Sequence, residues 1–103
     1  MKETEVQSAI CDYLALRKLF FIRMNNQPIF DPTRKIFRSL SKHTPRGLSD
    51  LLVVKNGMAI FLEVKQEKGK QSESQKDFEW AAIHAGADYH VVRSIEDVQA
   101  LGL

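Results

Sequence analysis

The sequence predicts an α/β fold (α+β): one mixed β-sheet flanked by helices, with elements in the order α-β-β-β-α-β-α. Asn56-Gly57 lies between two apolar runs, which is the strongest short-range signal of a β-hairpin with a two-residue turn. Both faces of that hairpin carry apolar residues, as in a sheet that is covered on both sides. Apolar residues recur at helical spacing before and after it. We therefore expect residues 1–103 to form a single domain.

Composition and charge limit the class of protein. No apolar run approaches the roughly 20 residues that span a bilayer, and no segment resembles a signal peptide, so we expect an intracellular protein without a membrane partner. The single cysteine, Cys11, excludes an internal disulfide and a cysteine-based zinc cluster. Residues 33–76 hold ten Lys or Arg against four Asp or Glu, whereas residues 77–103 hold one against five. This concentration of basic charge favours a polyanionic partner such as DNA.

A helix is predicted over residues 3–17, because apolar residues recur there at helical spacing: Val6, Ile10, Tyr13 and Leu14. At about 100° per residue, Glu3 projects into the middle of this stripe, whereas Glu5 projects outside it. An acidic side chain at the position of Glu3 can reach towards the hairpin. The helix macrodipole, which favours a carboxylate in the first turn, explains such a residue equally well.

Residues 19–24 are rich in Phe and Ile and predict a short strand, and residues 27–46 follow as a basic segment without a predicted helix or strand. Basic side chains interleaved with aromatic ones are typical of a surface that contacts nucleic acid. We expect DNA contacts from seven basic residues of this segment and of the loop after the hairpin: Arg34, Lys35, Arg38, Lys42, Arg46, Lys68 and Lys70. Four apolar residues either cover the hairpin or form a homodimer interface: Ile29, Phe30, Ile36 and Phe37.

The register of the hairpin places two carboxylates opposite each other. With Asn56-Gly57 as the turn, the numbers of facing residues sum to 113, so Asp50 lies opposite Glu63. Their Cβ atoms are then about 4.5–5.5 Å apart. Lys65 points to the same face and lies diagonal to Asp50. Like charges in this arrangement destabilise a sheet, so a compensating group is expected.

A divalent metal ion is the compensating group that these residue types suggest. Asp50 and Glu63 supply the hard oxygen ligands that Mg²⁺ prefers, and the Val64 carbonyl can add a third. Such an ion, or Mn²⁺ in its place, polarises a phosphodiester and lowers the pKa of a bound water, which Lys65 can orient. A solvated sheet edge neutralised by Lys65 is the alternative, but the apolar residues on both faces favour a buried site.

A second helix is predicted to begin after Ser72, because Ser72 and Gln75 have the spacing of a capping box, and to end before Gly86. Its apolar stripe comprises Phe78, Ala81, Ala82 and Ala85. Gln75 lies at the edge of that stripe, so it either caps the helix or lines the site. A strand over residues 89–93 and a helix from residue 95 complete the chain.

The Asp50, Glu63-X-Lys65 hairpin between helices resembles the PD-(D/E)XK nuclease superfamily, and the chain is similar to a stand-alone VRR-NUC domain, the virus-type replication-repair nuclease module. The resemblance covers nearly the whole chain. Ser49 departs from it, since the superfamily name expects proline there. The matching segments are Glu3-Thr4-Glu5-Val6-Gln7, Arg23-Met24-Asn25, Gly47-Leu48-Ser49-Asp50, Glu63-Val64-Lys65, Gly69-Lys70-Gln71-Ser72-Glu73-Ser74-Gln75 and Gly86-Ala87 before Val91-Val92-Arg93-Ser94.

The resemblance implies a PD-(D/E)XK nuclease core in which Asp50 and Glu63 bind the metal, Lys65 assists the attacking water and Gln75 supports the site. The acidic residue of the first helix is then Glu3 or Glu5, and periodicity favours Glu3. Family members are mostly DNA nucleases of repair or phage replication, and stand-alone ones resemble Holliday-junction resolvases and tend to dimerise. We therefore expect a homodimeric, Mg²⁺-dependent endonuclease that cuts branched DNA (junctions or flaps) in the cytoplasm of a bacterial or phage-infected cell.

Two other functions are compatible with the same residues. A non-catalytic DNA-binding module on a decayed nuclease fold would lack a ligand or the lysine, and this sequence lacks neither. A sequence-specific restriction-type endonuclease would use the same chemistry. Reading base edges usually needs added recognition elements, for which 103 residues leave little room.

Overall fold

The computed structural model describes residues 2–24, 29–38 and 43–103, with the backbone alone for residues 29–31 and 36–38. In these ranges the elements are α1 (Glu3–Leu16), β1 (Phe20–Arg23), β2 (Ile29–Asp31), β3 (Ile36–Arg38), β4 (Leu51–Lys55), β5 (Met58–Val64), α2 (Glu73–His84), β6 (Asp88–Val92) and α3 (Ile95–Ala100). Apart from β2 and β3, this is the predicted order. Within the described part of the chain, every helix is too short or too polar to cross a bilayer.

The main sheet has the strand order β1-β4-β5-β6. β4 pairs antiparallel with both β1 and β5, whereas β5 and β6 are parallel. A parallel pair needs a crossover connection, which α2 provides here. The predicted fold class, a mixed sheet flanked by helices, is confirmed.

The turn at Asn56-Gly57 sets the register of the β4–β5 hairpin. Both residues have positive φ, 53° and 77°, a conformation that Asn and Gly adopt more readily than other residues. Leu51 consequently pairs with Leu62, as predicted. Continuing that ladder by one residue brings the chain to Asp50 on one side and Glu63 on the other.

One face of the main sheet packs against α1 and α3 and forms the hydrophobic core. The buried members of this core are Val6, Ile10, Leu14, Leu51, Val53, Leu62, Val64, Val92, Val98 and Leu103. The predicted apolar stripe of α1 is therefore confirmed at Val6, Ile10 and Leu14. Tyr13 lies at its border, where its hydroxyl donates a hydrogen bond to the Leu103 carbonyl at 2.8 Å. This core fixes α1 against the end of the sheet that carries Asp50 and Glu63.

The opposite face of the sheet is covered only in part, so the expectation of a hairpin covered on both sides was wrong for this face. α2 packs over β5 and β6, where Phe78 meets Phe61 edge to face with ring centroids 5.1 Å apart. A helix is about 10 Å wide and strands lie about 4.8 Å apart, so one helix covers about two strands. Farther from α2, three apolar side chains are exposed: Phe20 (65%), Ile22 (45%) and Val54 (39%).

The predicted stripe of α2 is correspondingly shallow. Ala82 is buried and Phe78 is half-buried, whereas Ala81 and Ala85 are exposed. These two alanines line an open apolar groove with Phe61 and Pro45. The periodicity located the correct side of the helix but overestimated how deeply that side is buried.

The basic segment contains a hairpin that was not expected from the sequence. β2 and β3 pair antiparallel as a separate two-stranded sheet. No Asn-Gly or Asp-Gly pair marks the turn, and Lys35 adopts the positive φ of 55° that such pairs usually supply. The side chains of Ile29, Phe30, Ile36 and Phe37 lie outside the described residues, so their role at a dimer interface stays a prediction.

Candidate metal centre

Asp50 is held at the end of the main sheet by the strands on either side. It directly precedes β4, and its carbonyl accepts a hydrogen bond from the Met24 N–H at 2.8 Å. Its carboxylate Oδ2 accepts another from the Val64 N–H, also at 2.8 Å. The second bond directs the carboxylate towards the end of β5, where Glu63 lies. The predicted proximity of Asp50 and Glu63 is therefore present in the structure.

A third acidic residue joins this pair from α1. One carboxylate oxygen each of Glu3, Asp50 and Glu63 lies within 4.8 Å of the others. We call these three residues the acidic cluster. Glu3 is the first residue of α1 and is half-buried, whereas Glu5 is exposed and lies outside the cluster. Of the two candidates on this helix, the structure thus brings Glu3 to the site, since it points along the stripe that packs on the sheet.

Glu63 has the most constrained environment of the three. It is 1% exposed, and its Oε1 atom has no hydrogen-bond partner among the described residues. Burial, and then the negative charge of Asp50, raise the pKa of Glu63 from 4.5 to about 8, against the opposing effect of Lys65. An unpaired polar atom is costly in a protein interior, and the raised pKa means that Glu63 keeps its proton near neutral pH instead of carrying a buried charge. A divalent cation bound to Oε1 would replace that proton and give the oxygen a partner.

Lys65 lies beside Glu63, two residues farther along the chain and directly after the end of β5. Its ammonium nitrogen is 3.8 Å from Glu63 Oε2, close enough for an ion pair but too long for a hydrogen bond. The residue is 9% exposed, unusually buried for a lysine. Its backbone N–H donates to the Val92 carbonyl at 3.0 Å, which ties it to β6. A lysine held in this way can act on a substrate without first losing side-chain freedom.

Gln75 performs both of the roles left open by the sequence. Its Oε1 accepts a hydrogen bond from the Ser72 N–H at 2.8 Å, and its own N–H donates to Ser72 Oγ at 3.2 Å, which completes the capping box. Its Nε2 donates to Glu63 Oε2 at 3.2 Å. The amide group has an acceptor end and a donor end, so capping and contact with Glu63 are compatible. The N-terminus of α2 is thereby fixed against the acidic cluster.

Gly47 supports the site although the sequence indicated no specific role for it. It adopts φ of +74°, and a Cβ at this position would lie 2.6 Å from the Gln75 nitrogen and overlap the Ser74 backbone. Glycine therefore allows the loop before Asp50 to pack directly on the first turn of α2. The available signal was its position in Gly47-Leu48-Ser49-Asp50.

The donor set fits Mg²⁺ or Mn²⁺. All three side chains of the acidic cluster offer carboxylate oxygens, the ligands that these hard cations prefer, and Glu63 has an oxygen to spare. The Val64 N–H is engaged with Asp50, and a contribution from its carbonyl stays a prediction. A cation bound by the acidic cluster would place its positive charge beside the buried ammonium group of Lys65. Two positive charges at this position suit binding and polarising a phosphate group.

The predicted DNA-contacting residues are spread over several loops. Arg34 and Lys35 lie in the exposed turn between β2 and β3, and Arg46, Lys68 and Lys70 are exposed before β4 and after β5. Lys68 lines a small cavity with Val6, next to the turn of α1 that carries Glu3. The Arg38 side chain and the whole of Lys42 lie outside the described residues. DNA contact stays a prediction for all seven.

Comparison with known proteins identifies the fold. A solved structure described as a VRR_NUC domain aligns with this chain at a TM-score of 0.68, over 98% of this chain and 95% of that chain, with 23% sequence identity. No family model matches the sequence, and no curated protein does. The chain thus has a VRR-NUC domain fold, as the resemblance of its motifs implied.

Proposed function

We propose that the chain is a Mg²⁺-dependent deoxyribonuclease that hydrolyses phosphodiester bonds in branched DNA. The observation that carries this proposal is the acidic cluster with Lys65 beside it, at one end of the main sheet. The chain that carries it has the VRR-NUC domain fold. Three carboxyl groups, brought together by α1 and the open end of the β4–β5 hairpin, repel one another when ionised, and a bound cation would neutralise them. Phosphodiester hydrolysis is a reaction for which such a cation and an adjacent ammonium are useful.

Each residue of the site has a proposed role. Glu3, Asp50 and Glu63 hold the ion, with the Val64 carbonyl as a further oxygen. When bound, the ion supplies positive charge that activates water and stabilises the phosphate in the transition state. Lys65 orients the attacking water or offsets the developing charge on the phosphate. Gln75 holds Oε2 of Glu63, which leaves Oε1 directed away from that contact and available to the ion.

Basic charge supports branched DNA as the substrate, and cleavage of two strands supports a homodimer. Residues 33–76 hold ten Lys or Arg against four Asp or Glu, and contacts of such residues with phosphates position the protein without reading sequence, which favours recognition of DNA shape. Cutting two strands of a junction symmetrically needs two sites related by a two-fold axis, which an isologous dimer provides. The exposed apolar side chains of Phe20, Ile22 and Val54 add candidate interface area to that of the β2–β3 hairpin.

A panel of labelled DNA substrates tests the activity. Linear duplex, flap, splayed-arm and four-way-junction DNA are incubated with the protein in Mg²⁺, Mn²⁺ or EDTA, beside the Asp50→Asn variant. We expect metal-dependent cleavage that is fastest on branched DNA and absent from the variant. Full activity in EDTA refutes the metal assignment, and binding without cleavage in every metal refutes the nuclease. Equal cleavage of junction and duplex refutes only the selectivity.

Light scattering at micromolar concentration tests the dimer. We expect the mass of two chains at low and moderate salt. A monomer under both conditions refutes the dimer and leaves the nuclease assignment to be decided by the cleavage assay.

A further inference from the structure

The loop that follows Lys65 folds back onto the side chain of that lysine. The Gly69 N–H donates to the Gln66 carbonyl at 2.9 Å and closes a tight turn over residues 66–69. A Cβ placed on Gly69 would lie 3.4 Å from both Cβ and Cδ of Lys65, so the Gly69 backbone lies against the aliphatic stem of the lysine. This contact is part of the reason that Lys65 is 9% exposed.

Arg93 holds this turn closed from the neighbouring strand. Its Nη1 donates hydrogen bonds to three carbonyl oxygens of the turn, those of Gln66 (2.7 Å), Glu67 (3.2 Å) and Gly69 (2.8 Å). Converging carbonyl dipoles repel one another, and a guanidinium supplies both the charge and the donors that keep them together. Arg93 and Lys65 follow the paired ends of β6 and β5 directly, so the reach is short.

The backbone of Arg93 is itself anchored. Its N–H donates to Asp97 Oδ2 at 2.8 Å, on the first turn of α3, and Ser94 caps that helix. Among the described residues, Arg93 makes no hydrogen bond to the acidic cluster. The side-chain hydrogen bonds of Arg93 go instead to the 66–69 turn.

We propose that Arg93 is a positioning residue for Lys65, which it acts on through the 66–69 turn. The proposal rests on the proposed function for the role of Lys65, but the hold of Arg93 on Lys65 is independent of it. A lysine side chain has many rotamers, and the loss of that freedom opposes any fixed placement of its ammonium group. Packing the stem under a clamped turn removes that freedom during folding, before substrate binds.

Lysine acetylation measures this hold without reference to activity. The folded protein is treated briefly with an acetylating reagent, and the modification of each lysine is quantified by mass spectrometry. In Arg93→Gln we expect Lys65 to react at least threefold faster than in the wild type. Arg93→Lys keeps the charge and N–H donors on one nitrogen but has a shorter reach, and it should fall between the two. Lys55, whose ammonium group contacts the Gly102 carbonyl at the far end of the sheet, is the matched control and should not change.

The outcomes separate local from global effects. If Arg93→Gln loses its fold, Lys55 reacts faster as well, and the milder Arg93→Lys variant decides the question. Unchanged Lys65 reactivity in a folded variant overturns the proposal. A faster reaction confined to Lys65 supports it even when no nuclease activity is found, so failure of the proposed function is distinguishable from failure of this inference.

Steady-state cleavage of branched DNA then tests the consequence for the reaction. Arg93→Gln should lower kcat about tenfold with KM within about twofold, because ground-state binding of DNA is retained. Adding Arg93→Gln to Lys65→Met should cause no further loss of kcat, since both changes act on the same group. A raised KM with unchanged kcat overturns the positioning role and indicates that the turn serves to present Lys68 to DNA.

Discussion

The two ends of the β4–β5 hairpin follow the same ladder but differ in how their polar groups are satisfied. At the turn end, Asn56 and Gly57 adopt the positive φ angles that the turn requires, and the Lys55 ammonium group donates to the Gly102 carbonyl at 2.8 Å. At the open end, Asp50 and Glu63 lie together with Glu3, and Glu63 keeps a buried oxygen without a partner among the described residues.

This difference separates the end of the hairpin that defines the register from the end that carries the candidate site. The turn end follows each local preference of its residues and serves to define the register. The open end uses that register to bring like charges together, which opposes folding. Conflicts of this kind between local energetics and the fold are expected at functional sites, where a ligand resolves them.

The largest expected effect is the loss of cleavage when either strand carboxylate is neutralised. Asp50→Asn or Glu63→Gln should lower kcat/KM by about 10³-fold or more, because several kcal/mol of charge stabilisation by the metal are lost. The thermal midpoint in EDTA should stay unchanged or rise, since the repulsion within the acidic cluster is relieved. Asp88→Asn, at the exposed start of β6, is the matched control and should leave both quantities unchanged. Undiminished cleavage by Asp50→Asn contradicts the assignment.

The next effect distinguishes the two lysines at opposite ends of the hairpin. Lys65→Met keeps an apolar stem and should lower single-turnover cleavage about 10²-fold with little change in DNA affinity, because its proposed role is in the transition state. Lys55→Met should leave cleavage unchanged. Weaker binding and a salt slope reduced by about one, with near-normal cleavage at saturating enzyme, would show instead that Lys65 is a phosphate contact.

The buried carboxyl group at the open end should also make the stability of the chain depend on pH. The pKa of Glu63 is raised to about 8 in the folded chain from an ordinary value of 4.5. Between these two pH values Glu63 keeps its proton in the folded state but has released it in the unfolded state. The contribution of Glu63 to the free energy of unfolding is therefore fully present below about pH 4.5 and is lost as the pH rises through about 8. In EDTA the thermal midpoint should therefore fall from about pH 5 to about pH 9 by several degrees.

Two comparisons check this pH dependence. Glu63→Gln should flatten it, whereas Glu96→Gln, on the exposed side of α3, should not. Mg²⁺ should raise the midpoint most at high pH, where the carboxylates that it needs are already ionised. An identical pH profile for the wild type and Glu63→Gln contradicts the buried, protonated state of Glu63.

The last comparison is between two glycines with nearly the same backbone conformation, one at each end of the hairpin. Gly47→Ala should lower both stability and cleavage, because its Cβ would overlap the first turn of α2 and displace Gln75 from Glu63. The Cβ of Gly57→Ala would lie in open space, so only the strained φ of +77° disfavours this variant. It should lower the free energy of unfolding by about 1 kcal/mol without changing cleavage. Urea unfolding and single-turnover cleavage measure both. Equal loss of activity in the two variants would contradict the separation between the ends.

Short-range patterns in the sequence were sufficient to predict several features of the fold and the candidate site. Asn56-Gly57 defined the hairpin register and hence the pairing of Asp50 with Glu63, because side-chain alternation in strands leaves no freedom once the turn is known. Ser72 and Gln75 located the start of α2, and the spacing of Val6, Ile10 and Leu14 located the buried side of α1. These signals work since each is set by contacts a few residues apart.

Features that depend on how the elements pack could not be settled from local patterns. Periodicity favoured Glu3 over Glu5, and the packing of α1 on the end of the sheet decided between them. Packing also showed that Gln75 both caps α2 and contacts Glu63, and it joined Arg93 to a turn more than twenty residues earlier in the chain. The contact of Arg93 had no signal in the sequence, because it joins segments that are far apart in the chain.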